Sequence, residues 1–504
     1  MSPVYVAPDA GPWPLHDAAA SRTVEAAALS SAAPHALMQL AGLAVARLAL
    51  ALAPHARRVY VAAGPGNNGG DGLEAAMHLR GANKNVTVTL LGDPALQPAD
   101  AAKALLRARD AGVRIETNPA AGNGADLCID ALFGLGARRP PEGAIAAAIR
   151  QLNAQRAPVL AVDLPSGLHP DSGVALGGVA VHAATTLALL TLKPGLHTGA
   201  GRDHAGAVWF DALGVAAFGA TAWLSGPPPR VARAHAEHKG SFGDVAVIGG
   251  APGMTGAAWL AACAALAAGA GRVYCSLLDA TAPLLDAARP ELMGRQGWWA
   301  SAPAVLGTST VVCGCGGGTA VREALPPLLA HAARLVLDAD ALNAIAADTA
   351  LQVLLSARGA RGRPTVLTPH PLEAARLLGV DTATVQGDRL LAASRLAQRF
   401  GVTVVLKGSG SVIAAPGRLP AINSTGNALL ATAGTGDVLA GWLGGMWAPG
   451  GEAFDAATAA AWQHGHAADR AAASGDTAPM RAADLIEAMR LASYGPRSSS
   501  LRSN

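Results

Sequence analysis

One unit recurs along this chain and constrains its fold more than any other feature. It is a short apolar run, then a turn rich in glycine and polar side chains, then a helix. Arg58–Ala63 (RVYVAA) leads into Gly64-Pro65-Gly66-Asn67-Asn68-Gly69-Gly70-Asp71-Gly72, with a helix expected over 73–79. Further strands are expected at 85–91, 126–132 and 158–162. In the second half they are expected at 244–248 and in runs that end in Cys313-Gly314-Cys315-Gly316-Gly317-Gly318, Asp338-Ala339-Asp340, Thr368-Pro369-His370 and Lys407-Gly408-Ser409-Gly410. Strands alternating with helices imply α/β architecture with parallel sheets, and such sheets bind ligands beyond the carboxyl ends of their strands.

With 504 residues the chain is long enough for more than one domain. The composition breaks at 221–233, which contains Ser225-Gly226-Pro227-Pro228-Pro229 and suits a linker. The expected domains are therefore 1–221 and 222–504. A hydrophobic share of 51% and a charged share of 14% describe a core builder, and a net charge of +3 gives no electrostatic case for nucleic acid. A mean hydropathy of +0.30 raises the question of membrane spans. The apolar run at 41–53 is short and carries Arg47, and 255–271 has the Ala/Gly-rich look of a core helix, so no membrane association is expected. No basic-then-apolar leader opens the chain. The 5 cysteines are scattered through apolar strands, which points to reduced thiols in the cytoplasm, with Cys313 and Cys315 structural. Residues 1–20 are expected to be partly loose, 23–52 helical with a break at Pro34, Met38 in the core, and 495–504 disordered.

Polar side chains gather where the strands end. The 64–72 loop is neither GxGxxG nor a Walker motif, and its Asn and Asp side chains supply oxygens instead. Asn68, Asp130, Asp163 and Ser166 fall at or just past strand ends, where oxygen donors fit a hard cation and Asp163 could act as acid or base. Each could equally serve a turn. In the second half Ala433-Gly434-Thr435-Gly436-Asp437 precedes an apolar run and reads as a glycine turn opening a buried helix. Gly434 and Gly436 allow close backbone approach, and the first N–H groups of the helix can bind phosphate. Asp437 then either meets the phosphate and its attacking group or is only a favourable acid in a first helical turn. Taken singly each has a structural reading as well: Asp340 as the cap of the helix that runs through Asn343, His370 as a surface turn, and Lys407 as a solvated end.

Taken together the motifs resemble a known family. GPGNNGGDG, DALFGLG, VDLPSGL and Lys193-Pro194-Gly195 are similar to the NAD(P)H-hydrate epimerase domain of the bifunctional NAD(P)H-hydrate repair enzymes. The resemblance covers roughly 20–215 and implies a Rossmann-like fold. It implies substrate phosphates on Asn67, Asn68, Gly69, Gly70 and Asp71 and on Gly134, Leu135, Gly136, Ala137, Arg138, Arg139 and Pro140. It also implies potassium at Asn68, Asp130 and Ser166, and Asp163 as the substrate-contacting catalytic carboxylate. HKGSFGDVAVIGGAPGMTGAA, LDADALN, LTPHPLEAARLL, VVLKGSGSVIA and NALLATAGTGDVLAG resemble the ribokinase-like, ADP/ATP-dependent NAD(P)H-hydrate dehydratase domain over 238–470. That implies Asp437 as the base, substrate contacts at Ala257, Gly316, His370 and Asp437, and nucleotide contacts at Lys407, Gly408, Ser409, Gly410, Ser411 and Gly436. Mg2+ and ADP, or ATP, are implied as cofactor and co-substrate. One departure stands out: the family's GPGLG is Gly314-Cys315-Gly316-Gly317-Gly318 here, so a looser loop and weaker substrate binding are expected. The expected partners are hydrated NADH and NADPH and ADP, with self-association into a homo-oligomer. The rival reading is another ribokinase-like small-molecule kinase with a non-catalytic N-terminal binding module; it expects a phosphorylated product rather than restored NADH.

Overall fold

A computed structural model describes residues 3–117, 124–136, 139–229, 232–301 and 303–494. Ala137 and Arg138 and the tail 495–504 lie outside the described residues. The chain divides into two compact units, Met1–Leu224 and Ser225–Asn504.

In the first unit eight strands form one sheet, in the order Val4–Tyr5, Ala207–Asp211, Thr185–Leu189, Val159–Val162, Leu127–Ala131, Arg58–Ala63, Asn85–Leu90, Arg114–Glu116. All neighbours are parallel except the first pair. The strand order turns back between Arg58–Ala63 and Leu127–Ala131, because 85–90 and 114–116 extend one side and every later strand extends the other. The crevice at such a reversal is where ligands bind. Two expectations are corrected here. Within 3–20 the chain is not loose: Val4 and Tyr5 pair with Phe210 and Trp209, and Trp13–Leu15 pairs antiparallel with Ala222–Leu224. That second pairing also ties residues 222–224 to the first unit.

The 23–52 stretch does break near Pro34, into helices Ala18–Ser31 and Ala36–Leu52, with His35 at φ 66° between them. No single helix among the described residues is long and apolar enough to cross a membrane. The five cysteines are free.

In the second unit the strand order is Met293–Gly294, Arg272–Leu277, Asp244–Gly249, Thr310–Cys313, Arg334–Leu337, Thr365–Leu367, Thr403–Leu406, Ser411–Ala414, Ala421–Asn423. It is parallel through Thr403–Leu406 and antiparallel over the last two pairs. The reversal lies between Asp244–Gly249 and Thr310–Cys313. Helices Thr255–Ala267 and Thr435–Trp447 pack on each other through small residues. A methyl group on Gly441 would lie 2.0 Å from the Ala261 carbonyl oxygen, and one on Gly445 would lie 2.3 Å from that of Ala265. The helix axes can approach this closely only because these side chains are missing. Trp442 and Trp447 are fully buried, and their indole N–H groups donate to Gln463 Oε1 at 2.7 Å and to the Gly451 carbonyl at 3.0 Å. This packing fixes the start of the Thr435–Trp447 helix, and Asp437 with it.

Candidate functional site

The Asn67–Asp71 segment is not a loop. Helix Asn67–Gly81 begins at Asn67 with Gly66 as its cap, so only 64–66 turn. The later glycines are there for closeness rather than for unusual torsions. A methyl on Gly69 would lie 2.0 Å from the Gly64 carbonyl oxygen, one on Gly72 2.5 Å from Ala131 Cβ, and one on Gly70 2.6 Å from the Met38 thioether. The helix start is thereby pressed onto the ends of strands Arg58–Ala63 and Leu127–Ala131. It contributes to a cavity of about 320 Å³ lined by Glu25, Asn67, Asn68, Asp71, Gly134, Asp163 and Lys193 among others.

Asp163 follows strand Val159–Val162 and sits at φ 68°, a backbone region that residues other than glycine seldom occupy. Its N–H donates to Leu187 O at 2.8 Å, and its Oδ1 accepts from Leu189 N at 3.2 Å. The same oxygen forms an ion pair with Lys193, whose side chain is 1% exposed and also donates to Leu189 O at 2.8 Å. Oδ2 is turned toward Gly134: a methyl there would lie 3.2 Å from it and 3.4 Å from Asn68 Oδ1. Asn68 and Asp163 therefore meet in the cavity. Burial, then the negative charges of Asp163 and Glu25, push the Asp71 carboxyl well above the usual carboxylate range. Glu25 is raised by burial and by Asp163.

Asp130 and Ser166 lie buried nearby. Asp130 accepts from Leu132 N at 3.2 Å, Ser166 N at 2.8 Å and Ser166 Oγ at 2.6 Å, while Phe133 N donates to Ser166 Oγ at 2.9 Å. Burial raises Asp130 to about 6 despite these donors. A carboxylate has roughly four acceptor positions, so these three bonds leave it about one for an ion. Asn68 Nδ2 is buried without a hydrogen-bond partner, as is usual for an amide whose partner is a ligand. The donors are all oxygen, which fits an alkali cation and not zinc or copper. Arg139 and Pro140 are exposed.

In the second unit four strand ends converge. Cys315 Sγ and carboxylate oxygens of Asp338 and Asp437 all lie within 4.8 Å of one another. Asp338 Oδ1 accepts from Lys407 Nζ at 2.6 Å and from Thr368 Oγ1 at 2.7 Å. Lys407 in turn lies against the helix start: a methyl on Gly436 would be 3.4 Å from its Nζ. The helix is capped by Gly434 at φ 88° with no capping side chain, so its first N–H groups have no side-chain acceptor. His464 Nε2 bonds Thr435 O at 2.9 Å, and burial lowers that imidazole to about 4. Burial, then the charge on Asp338, raises Asp437 to about 6, although Cys315 and Lys407 both act in the other direction. Burial pulls Lys407 down, but Asp338 and Glu373 outweigh it and leave it raised.

The other expected residues find their places around this centre. Ala257 and Gly316 touch, since a methyl on Gly316 would lie 2.9 Å from Ala257 Cβ. His370 is no surface turn. Its Nδ1 caps helix Pro371–Leu378, accepting from Leu372 N at 3.1 Å, and Glu373 Oε2 accepts from His370 N at 2.8 Å. Asp340 is not the cap of its helix: Asp338 holds the N-cap position of Ala339–Ala346, and Asp340 Oδ2, in the first turn, accepts from Gly318 N at 2.8 Å. Ser411 Oγ donates to Gly408 O at 3.1 Å, Ser409 is exposed and Gly410 is buried. Buried Arg389 carries this loop, donating to Leu406 O at 3.2 Å and Lys407 O at 3.1 Å. Sequence reasoning had not given site roles to Lys193, Glu25, Cys315, Asp338 or Arg389. Lys193, Cys315 and Asp338 each carried a local signal, in a short motif after an apolar strand, whereas Glu25 and Arg389 carried none.

Comparison with known proteins agrees with this two-part layout. A family model described as NAD(P)H-hydrate dehydratase matches 245–490, and one described as YjeF-related protein N-terminus matches 34–195. The chain is 38% identical over 474 residues to a bifunctional NAD(P)H-hydrate repair enzyme of Escherichia coli, covering 90% of this chain and 88% of that one. It is 36% identical over 469 residues to its namesake in Moorella thermoacetica, with 86% of each covered. An ADP-dependent (S)-NAD(P)H-hydrate dehydratase of Neisseria meningitidis is 45% identical over 246 residues, 48% of this chain and 82% of that one.

Proposed function

The chain belongs to the family of bifunctional NAD(P)H-hydrate repair enzymes, so it epimerises hydrated NADH and NADPH and dehydrates the S form with a nucleotide, and we propose how its residues divide that work. Dehydration is carried by Asp437. Hydroxide is a poor leaving group and phosphate a good one. Asp437 takes the proton of the ring hydroxyl, and the freed oxygen attacks the terminal phosphorus of the nucleotide, whose remainder departs. The ring nitrogen then expels phosphate, and loss of a proton from the neighbouring carbon restores the dihydropyridine. A carboxylate with a pKa of about 6 suits this task, since it is ionised at neutral pH yet basic enough to hold the proton. The uncapped N–H groups at Thr435–Asp437 take the charge that develops on the phosphate. Lys407, Gly408, Ser409, Gly410, Ser411 and Gly436 face the nucleotide, and Ala257, Gly316 and His370 face the substrate. The name of the Neisseria relative supports ADP over ATP. Mg2+ would arrive on the nucleotide's phosphates, as that ion usually does.

In the first unit Asp163 is the catalytic carboxylate. Lys193 and Leu189 N hold its Oδ1, which leaves Oδ2 for the substrate. The Asn67–Asp71 helix start and 134–140 take the phosphates. Potassium would be held by Asn68, Asp130 and Ser166, where it would supply positive charge against those phosphates.

The observation carrying this reading is the meeting of Asp437, Asp338 and Lys407 at the uncapped helix start. It is tested by incubating hydrated NADH with ADP, with ATP or with neither, and following the dihydropyridine absorbance. Absorbance returns with ADP under this account. A phosphorylated product without restored absorbance would favour a small-molecule kinase.

A further inference from the structure

The dehydration chemistry leaves one group at its centre unused. Cys315 is fully buried, and its Sγ lies within 4.8 Å of the Asp338 and Asp437 carboxylates. Its backbone is pinned: its carbonyl accepts from Gly250 N at 3.0 Å, and Gly314 and Gly316 on either side hold φ values of 122° and 57°. The backbone that carries the thiol is therefore held beside the carboxylates.

A nucleophilic or redox role needs an accessible thiolate. Cys315 has neither exposure nor ionisation, since burial and then the two carboxylates push it well above its ordinary value. A neutral S–H beside carboxylates can only donate. Asp338 Oδ1 already accepts from Lys407 and Thr368, whereas the side-chain hydrogen bond of the Cys315 thiol runs to Asp437.

We propose that Cys315 is a positioning residue for dehydration: its S–H donates to the Asp437 carboxylate, holding one oxygen and leaving the other for the substrate hydroxyl. The inference rests on Asp437 being the base. A donor to the ionised form favours that form, so the thiol offsets part of the rise imposed by burial. The other charged groups facing Asp437 are the Asp338 and Asp340 carboxylates and the Lys407 ammonium.

The test is the pH dependence of kcat for dehydration by the full chain with ADP, in wild type, Cys315→Ala and Cys315→Ser. Rate falls on the acid side as Asp437 takes up its proton. Removing the donor raises the pKa of Asp437, so Cys315→Ala moves that acid limb upward by roughly half to one pH unit. Cys315→Ser, with a stronger donor in the same place, keeps the limb at or below the wild-type position. KM for ADP stays unchanged in all three. An unmoved limb in Cys315→Ala overturns the inference, and so does a limb that moves upward in Cys315→Ser. Should the alanine variant fail to fold, the serine variant decides alone by the same criterion. A wild type with no acid limb overturns the assignment of Asp437 first, and this inference with it.

Discussion

Each unit places one carboxylate near the carboxyl ends of a parallel sheet, yet only one of the two is paired with a cation of its own. Asp163 has a cation of its own, the buried Lys193, which holds one oxygen beside Leu189 N. Asp437 has none, because the nearby ammonium of Lys407 is committed to Asp338, and burial with a second carboxylate lifts Asp437 to about 6. A paired carboxylate is fixed in place and charge. An unpaired one in a low-dielectric site is poised to accept a proton. The difference matches the proposed tasks: one group to sit against a substrate whose epimers differ only in the face that bears the hydroxyl, the other to deprotonate a hydroxyl.

The largest effect should come from removing the unpaired group. Asp437→Asn should lower dehydration by about 10²-fold or more while ADP binding, measured by calorimetry, stays close to wild type. A variant turning over near the normal rate would reduce Asp437 to a helix-start acid. Breaking the pair in the first unit should instead cost stability. Lys193→Met leaves Asp163 buried and uncompensated, a loss of roughly 3–5 kcal/mol for a buried pair. Thermal unfolding of the first unit should move down, and the double variant Lys193→Met/Asp163→Asn should recover most of it without recovering epimerisation. Equal melting of single and double variants would show that the pair does not matter to the fold.

The contrast also predicts a pH signature. Under the proposed role of Asp437 dehydration needs it ionised, so the rate should be at half its plateau near pH 6, nearly full about a unit above that, and fall towards tenfold per unit below it. A flat dehydration profile from pH 5 to 8 would remove the contrast. The smallest effect expected is that of the ion. Epimer exchange should rise modestly with potassium, and Asp130→Ala should abolish that stimulation. A rate indifferent to potassium would leave Asp130 as the anchor of Ser166 and no more.

The alternation of strand, glycine turn and helix made the α/β architecture legible, because crossover helices demand parallel strands. Asp163 and Asp437 were legible because each sits in a motif at a strand end or helix start. What stayed hidden depends on contacts between distant segments. Nothing near Arg389 says that it will support the 406–408 backbone, since its partners come from another strand. The Asn67–Asp71 glycines looked like a loop because glycine marks turns. Here they thin a helix so that it can press on Gly64 and Ala131, a need visible only once the strands are adjacent. The N-terminal strands were missed for the same reason: Val4 and Tyr5 become a strand only beside Trp209 and Phe210. Cys315 read as a departure that loosens a loop, whereas it faces the Asp437 carboxylate.

The division of labour between the two carboxylates is tested most directly by giving a mixture of R and S hydrated NADH, with ADP and potassium, to wild type and to Asp163→Asn. The dihydropyridine absorbance is followed to its plateau within the time that uncatalysed epimer exchange allows. Wild type should restore both epimers. Asp163→Asn should consume the S fraction at the normal initial rate and then stall with the R fraction left. A variant that runs to completion like wild type, or one whose initial rate on the S fraction collapses, would contradict the account.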